Sequence, residues 1–154
     1  LGQTASPDDI YLMVRGMRTL AIRLERQGAA ALEIARWLAK RPEVKRVLHP
    51  ALESDPGHAL WKRDFKGASG LFGVELQPCT REQVAALMDH REHFGIGYSW
   101  GGFESLIVPA NLRHGRKVRP WDGGPLIRLH IGLEDPADLM ADLDVAFARW
   151  RAAA

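Results

Sequence analysis

The sequence predicts an α/β fold in two layers (α+β-like): a small mixed or antiparallel sheet of about four strands, covered by helices on one face and preceded by a long N-terminal helix. Three observations predict it. The chain has 154 residues, of which 46% are hydrophobic and 26% charged, a length suited to one packed domain and a balance unlike that of disordered or fibrous chains. Apolar residues recur at three-to-four spacing in some segments and in short β-prone runs in others, and the two patterns alternate. No repeat, linker or low-complexity segment occurs beyond the terminal Ala152 to Ala154, so residues 1–154 read as a single domain, with 1–41 as the long helix and 42–154 as the α/β part.

Ser6-Pro7-Asp8-Asp9 is a helix start: a capping hydroxyl, a proline whose missing N–H costs nothing at the first position, and carboxylates facing the positive helix end. Ile10, Met13, Val14, Met17, Leu20, Ala21 and Leu24 then form one apolar stripe. Gly28 interrupts it, and Leu32, Ile34, Ala35, Trp37 and Leu38 resume it until Arg41-Pro42 stops it. A long helix, bent if at all near Gly28, is expected. Val44–Leu48 and Leu71–Leu76 read as strands bounded by Pro and Gly. Thr80-Arg-Glu-Gln83 has the capping-box spacing, so a helix through about His90, ending near Gly95, should follow. Phe94–Ser99 and Ser105–Val108 are short apolar runs around a Gly101-Gly102 loop, and Leu126–Ile131 is a clear strand. Asp135-Pro136 with Asp138 repeats the first start signal ahead of Leu139, Met140, Leu143, Ala146, Phe147 and Trp150.

The 21 basic residues against 19 acidic ones leave a net charge of +2, which calls for no polyanionic partner. Their distribution is uneven: nine basic residues against three acidic ones lie between Met13 and Arg46, and Arg113, Arg116, Lys117 and Arg119 form a second cluster. These are phosphate contacts of a nucleic-acid-binding module or, as basic helix faces more often are, solvated surface; no reader motif accompanies them. No apolar run approaches the roughly 20 residues that span a bilayer, and Asp8 and Asp9 stand where a signal peptide needs apolar residues. A protein without membrane association and not exported is expected. The first residue is Leu1, which implies processing or a cut in a longer chain, and the single Cys79 makes a reducing compartment the default.

On Leu126–Ile131 the period of two puts Leu126, Arg128 and His130 on one face. Arg128 is then either a solvent-facing cation or a planar fork for a carboxylate, and periodicity does not choose. In Tyr98-Ser-Trp-Gly-Gly-Phe-Glu-Ser105 a hydroxyl, an indole N–H and two glycines stand together; the segment is an anion-binding loop or a glycine turn with Trp100 in the core. His90 and His93 lack further ligands for a metal and read as surface histidines, and Cys79 reads as an unreactive loop cysteine.

Several longer strings occur together: Tyr11-Leu-Met-Val-Arg-Gly-Met-Arg-Thr-Leu20, His49-Pro-Ala-Leu52, Gly57-His58 with Trp61-Lys-Arg-Asp-Phe65, Ser69-Gly-Leu-Phe72, Tyr98-Ser-Trp-Gly-Gly-Phe-Glu-Ser-Leu106 and Leu126-Ile-Arg-Leu-His-Ile-Gly-Leu-Glu-Asp135. In this order they resemble the C-terminal domain of the cystathionine β-lyases, fold type I enzymes of cysteine and methionine metabolism that depend on pyridoxal phosphate. The resemblance implies a lyase of methionine biosynthesis and transsulfuration that cleaves L-cystathionine, or a related cysteine thioether, to homocysteine, pyruvate and ammonia. The cofactor acts there as the electron sink for the carbanion at Cα. The resemblance also implies a cytoplasmic homotetramer and a large N-terminal domain, joined through the long helix, that holds the cofactor and the catalytic lysine. That lysine follows Ser or Thr in the family; Lys40, Lys45, Lys62, Lys66 and Lys117 do not. No catalytic, cofactor-binding or metal-binding residue is therefore expected in this chain, and alone it should be an inactive folded domain. Carried over residue by residue, Arg128 matches the arginine that holds the substrate α-carboxylate, Ser99 and Trp100 its neighbours at that carboxylate, and Tyr11 a tyrosine near the catalytic lysine. Trp100 stands where related γ-synthases and γ-lyases tend to carry Leu, and so implies β-elimination.

Overall fold

The structure, a computed structural model, describes residues 2–112 and 118–154. Of the second basic cluster, Arg113, Arg116 and Lys117 lie outside the described residues. The element order is α1 (Pro7–Met17), α2 (Leu20–Leu38), β1 (Val44–Leu48), α3 (His58–Asp64), β2 (Leu71–Leu76), α4 (Arg81–Met88), β3 (Gly95–Ile96), β4 (Leu106–Ala110), β5 (Leu126–His130) and α5 (Pro136–Ala152).

Both helix-start signals cap as their chemistry requires. Ser6 Oγ accepts from the Asp9 N–H at 3.2 Å and the Asp135 carboxylate from the Ala137 N–H at 2.8 Å, each ahead of a proline. Thr80 and Gln83 form the reciprocal capping box. The α4 helix ends at Met88, earlier than the spacing suggested, because Asp89 is extended and His90 takes a positive φ of 53°.

The N-terminal helix is two helices. The break falls at Arg18–Thr19, where the Thr19 hydroxyl and the Arg23 guanidinium both donate to the Gly16 carbonyl, and α2 runs unbroken through Gly28. Gly28 serves a different purpose: a Cβ there would collide with the Ala68 carbonyl oxygen, so its lack of a side chain lets the 65–70 segment cross against α2. The short helix α3 carries no periodic signal strong enough to have been expected.

Among the described residues five strands form the sheet, against about four expected, in the order β1-β2-β5-β4-β3. All neighbours are antiparallel except β3 and β4. Paired residues share a face, so Val74 and Ile127 stand together, as do Phe72, Leu129 and Ile107. A bulge between Val44 and Arg46 shifts the alternation of β1 so that Val44 and Val47 both reach this face. The core lies there, against Ala31, Ile34 and Leu38 of α2, Leu87 of α4, and Leu139, Leu143 and Phe147 of α5. At about 25 cal/mol per Å², each of the Leu, Ile and Phe side chains among these contributes on the order of 1.5–3 kcal/mol by burial.

The opposite face presents Leu48, Gly73, Arg128 and Val108 in one row across the sheet, with Leu71, His130 and Leu106 in the next. It is edged by two irregular segments, 97–104 and 118–125. Glu75 ties down the second: its carboxylate accepts from Lys45 Nζ at 2.7 Å and the Gly124 N–H at 2.9 Å, and Arg46 lies over the Trp121 ring.

Candidate functional site

The strand β5 delivers Arg128 to the face that the helices leave open. Its Nη2 donates to the Tyr98 carbonyl at 2.7 Å and to the Gly97 and Ser99 carbonyls at 3.4 Å each, and its Cζ lies 5.8 Å from the Tyr98 ring centroid. Nη1 has no hydrogen bond among the described residues, and Nε is buried with no partner. No carboxylate pairs with Arg128 among the described residues, whereas Arg41, Arg46, Arg63 and Arg151 all have acidic partners. A half-buried guanidinium satisfied only by carbonyl oxygens keeps its charge unneutralised, with its plane fixed on one edge.

The segment that wraps it is held at several points. Before it, the buried Asp142 carboxylate on α5 accepts the backbone N–H groups of Glu92, His93 and Phe94 at 3.1–3.3 Å, steering the chain into β3. After it, the Glu134 carboxylate accepts both the N–H and the hydroxyl of Ser105, at 2.7 and 2.8 Å, and Ser105 Oγ accepts the Gly132 N–H at 2.8 Å. In between, Gln27 of α2 donates to the Gly102 carbonyl at 2.6 Å, and Gly101 N–H points at His130 Nε2 at 3.1 Å. Gly101 sits at φ +83°, which a residue with a side chain would resist.

Ser99 and Trp100 are therefore brought beside Arg128, through the Ser99 carbonyl and the loop itself. Trp100 is 64% exposed, so it is not a core aromatic of this chain. Tyr11 is not brought there: it is exposed on α1, a helix that buries none of its residues, and makes no hydrogen bond or ring contact with the other three among the described residues. Sequence reasoning missed Gln27, Ser105, Glu134 and Asp142. Gln27 and Asp142 did carry a signal, each a polar residue on an apolar helical stripe, and both are buried.

A groove of about 1040 Å³ lies elsewhere, between α2 and the 49–71 segment, lined by Leu24, Leu32, Leu60, Trp61, Phe65 and Leu71 among others. Its walls are mostly apolar and do not include Arg128, so the unpaired cation and not this groove defines the candidate site.

A match to the family described as Cys/Met metabolism PLP-dependent enzymes spans residues 1–148. The chain belongs to that family. Cystathionine beta-lyase MetC of Escherichia coli is 47% identical over 154 residues, covering 97% of this chain and 39% of the relative. The L-alanine/L-glutamate racemase of Wolbachia pipientis is 48% identical, covering 96% and 38%. A crystal structure of cystathionine gamma synthase from Xanthomonas oryzae pv. oryzae in complex with cystathionine superposes with a TM-score of 0.85 at 35% identity, over 98% of this chain and 40% of that one. The chain thus spans about two fifths of the length of the curated relatives it matches, and its fold is that of fold type I enzymes dependent on pyridoxal phosphate.

Pyridoxal phosphate chemistry calls for a free lysine amine, and the described lysines are otherwise placed. Lys45 reaches the Arg128 face but is bound there to Glu75, Lys66 and Lys62 line grooves beside α3, and Lys40 lies just past the end of α2, so no described lysine stands unpaired beside Arg128.

Proposed function

We propose that this chain is the C-terminal, substrate-carboxylate-binding part of a carbon–sulfur β-lyase that cleaves L-cystathionine, or a related cysteine thioether, to a thiol, pyruvate and ammonia. The observation that carries the reading is Arg128: a rigid strand holds an unneutralised guanidinium whose Nη2 is committed to three carbonyls. Nη1 is left for a carboxylate, whose second oxygen takes an N–H of the adjacent Nη2 in place of one of its longer, 3.4 Å carbonyl contacts. A carboxylate held by two parallel N–H···O bonds cannot rotate, so the bonds at Cα keep one orientation, which is the part of the reaction this chain supplies. Ser99 and Trp100 stand beside that carboxylate, and Trp100 favours β-elimination. The cofactor and the catalytic lysine belong to the rest of the protein. Residues 1–41 join that large N-terminal domain to the α/β unit of 42–154, Tyr11 reaches the site in that context, and the whole forms a cytoplasmic homotetramer. The uncovered apolar residues of α1, Ile10, Met13, Val14 and Met17, support such a packing partner.

The similarity to a racemase favours a second reading, since a carboxylate clamp serves proton exchange at Cα equally well. The full-length enzyme incubated with L-cystathionine separates the two. A β-lyase releases pyruvate and a free thiol in equal amounts, whereas a racemase converts L-alanine to D-alanine and releases neither. Absence of both products from cystathionine overturns the lyase reading.

A further inference from the structure

His130 lies two residues beyond Arg128 on the same sheet face, between Leu71 of β2 and Leu106 of β4, and is only 2% exposed. Its Nε2 lies 3.1 Å from the Gly101 nitrogen and 3.4 Å from the Gly102 carbonyl oxygen. Only the first is within good hydrogen-bonding distance, and it requires Nε2 to be the acceptor. We infer that His130 is a positioning residue, holding the Ser99–Trp100 segment beside Arg128 by accepting the Gly101 N–H. The inference rests on the carboxylate-site reading and names the group that shapes that site. The Arg128 bonds end at Ser99 and the Glu134 bonds begin at Ser105, so between these two anchors Gln27 and His130 are the side chains that grip the loop. Gln27 holds only an oxygen, which leaves the Gly101 N–H to His130.

Protonation reverses the contact. A proton on Nε2 faces the Gly101 N–H, donor against donor, and leaves only the longer approach to Gly102. The charged groups around the ring are Glu134, which favours the proton, and Arg128, which opposes it; Gln27 of α2, Gly70, Leu71 and Leu106 contribute no charge. Burial dominates and holds the imidazole below its ordinary value, so the acceptor form prevails at neutral pH.

The test uses the full-length holoenzyme. In His130→Leu, hydrogen-exchange protection of the 98–104 peptide should fall, and KM for cystathionine should rise about tenfold, the worth of one hydrogen bond, with kcat changing less. In His130→Gln, whose amide oxygen reaches the place of Nε2, both should return to within about threefold of wild type. The wild-type rise in KM and loss of protection on acidification below the ordinary imidazole range should be absent from that variant, which does not titrate. If the Leu variant fails to fold, His130→Asn, whose shorter amide falls short of Gly101, takes its place. Wild-type protection in the Leu or Asn variant, or a Gln variant as impaired as these, overturns the inference. If the wild type itself cleaves no thioether, the lyase reading fails, and the exchange comparison still decides what His130 does.

Discussion

Replacing Arg128 by Lys keeps the charge and removes the fork. An ammonium has no planar pair of N–H groups to hold a carboxylate from two sides, and it is too short of donors to keep the Gly97, Tyr98 and Ser99 carbonyls at the same time. Charge-assisted hydrogen bonds contribute about 1.5–3 kcal/mol, so kcat/KM of the full-length enzyme on cystathionine should fall roughly ten- to a hundredfold. The visible absorbance of the bound cofactor should stay unchanged. Wild-type kinetics in the Lys variant would return Arg128 to a solvated surface cation. Trp100→Leu tests the neighbouring residue. Because Trp100 is largely exposed, thermal stability should hardly move, while an indole lost beside the substrate carboxylate removes on the order of 1–3 kcal/mol of transition-state binding. Equal losses of stability and activity would point to a packing role. His49 sets a pH dependence of its own. It is buried against Phe72, its Nδ1 accepts the Ala51 N–H, and burial holds its pKa below the ordinary value, as it does for His130. The unfolded chain takes up these protons near pH 6.5 and the folded chain only at lower pH. The stabilisation from the neutral rings is therefore complete above about pH 6.5 and is lost as pH falls through the lowered values. Melting temperature measured from pH 7 to pH 5 should drop, and less so in a His49→Phe variant.

At the scale of elements, the return from β5 toward α5 depends on one close approach. A Cβ at Gly132 would overlap the Phe103 carbonyl oxygen, which accepts the Leu133 N–H at 2.8 Å, and would press on Glu134 Oε2. Gly132→Ala should therefore push the loop and the Ser105–Glu134 bonds apart, costing about 1–3 kcal/mol, and urea unfolding of the full-length enzyme should show it. An unchanged midpoint would mean that the loop shifts freely. This contact was invisible in the sequence, because Gly132 and Phe103 lie in different elements. What could be read was local: the caps at Ser6, Asp135 and Thr80, and the strands around Val44, Leu71 and Leu126, whose signals lie within a few residues. Gly28 misled because a helix-interior glycine looks the same whether it breaks the helix or admits a neighbouring chain. Of the apolar run Phe94–Ser99 only Gly95–Ile96 becomes a strand, β3, because two residues carry no period that could fix its extent. Arg128 was singled out from its strand position. The partners that hold the loop before it, at Gln27, Glu134 and Asp142, depend on packing between elements far apart in the chain.

For the whole molecule, the basic stretch and the apolar surface point in different directions. Within Met13 to Arg46, Arg26 reaches the Glu134 carbonyl, Arg41 pairs with Glu43 and Asp144, and Lys45 and Arg46 pair with Glu75. Arg41, Lys45 and Arg46 are thus paired with carboxylates, which weighs against a surface arranged for phosphates. The apolar surface is not spent: α1 has no buried residue, and Ile10, Leu12, Met13 and Met17 are each at least half exposed. A helix uncovered in this way is stable chiefly when something packs on it. The isolated 154-residue chain should accordingly show α1 as its least protected helix in hydrogen exchange and should release no pyruvate from cystathionine when given pyridoxal phosphate, since no described lysine stands unpaired beside Arg128 and Lys45 is held by Glu75. Supplying the large domain in the same polypeptide should restore both the protection of α1 and the activity. Pyruvate formed at enzymatic rates by the 154 residues alone would show that this chain holds the cofactor itself, and the division of labour between carboxylate clamp and cofactor anchor would have to be abandoned.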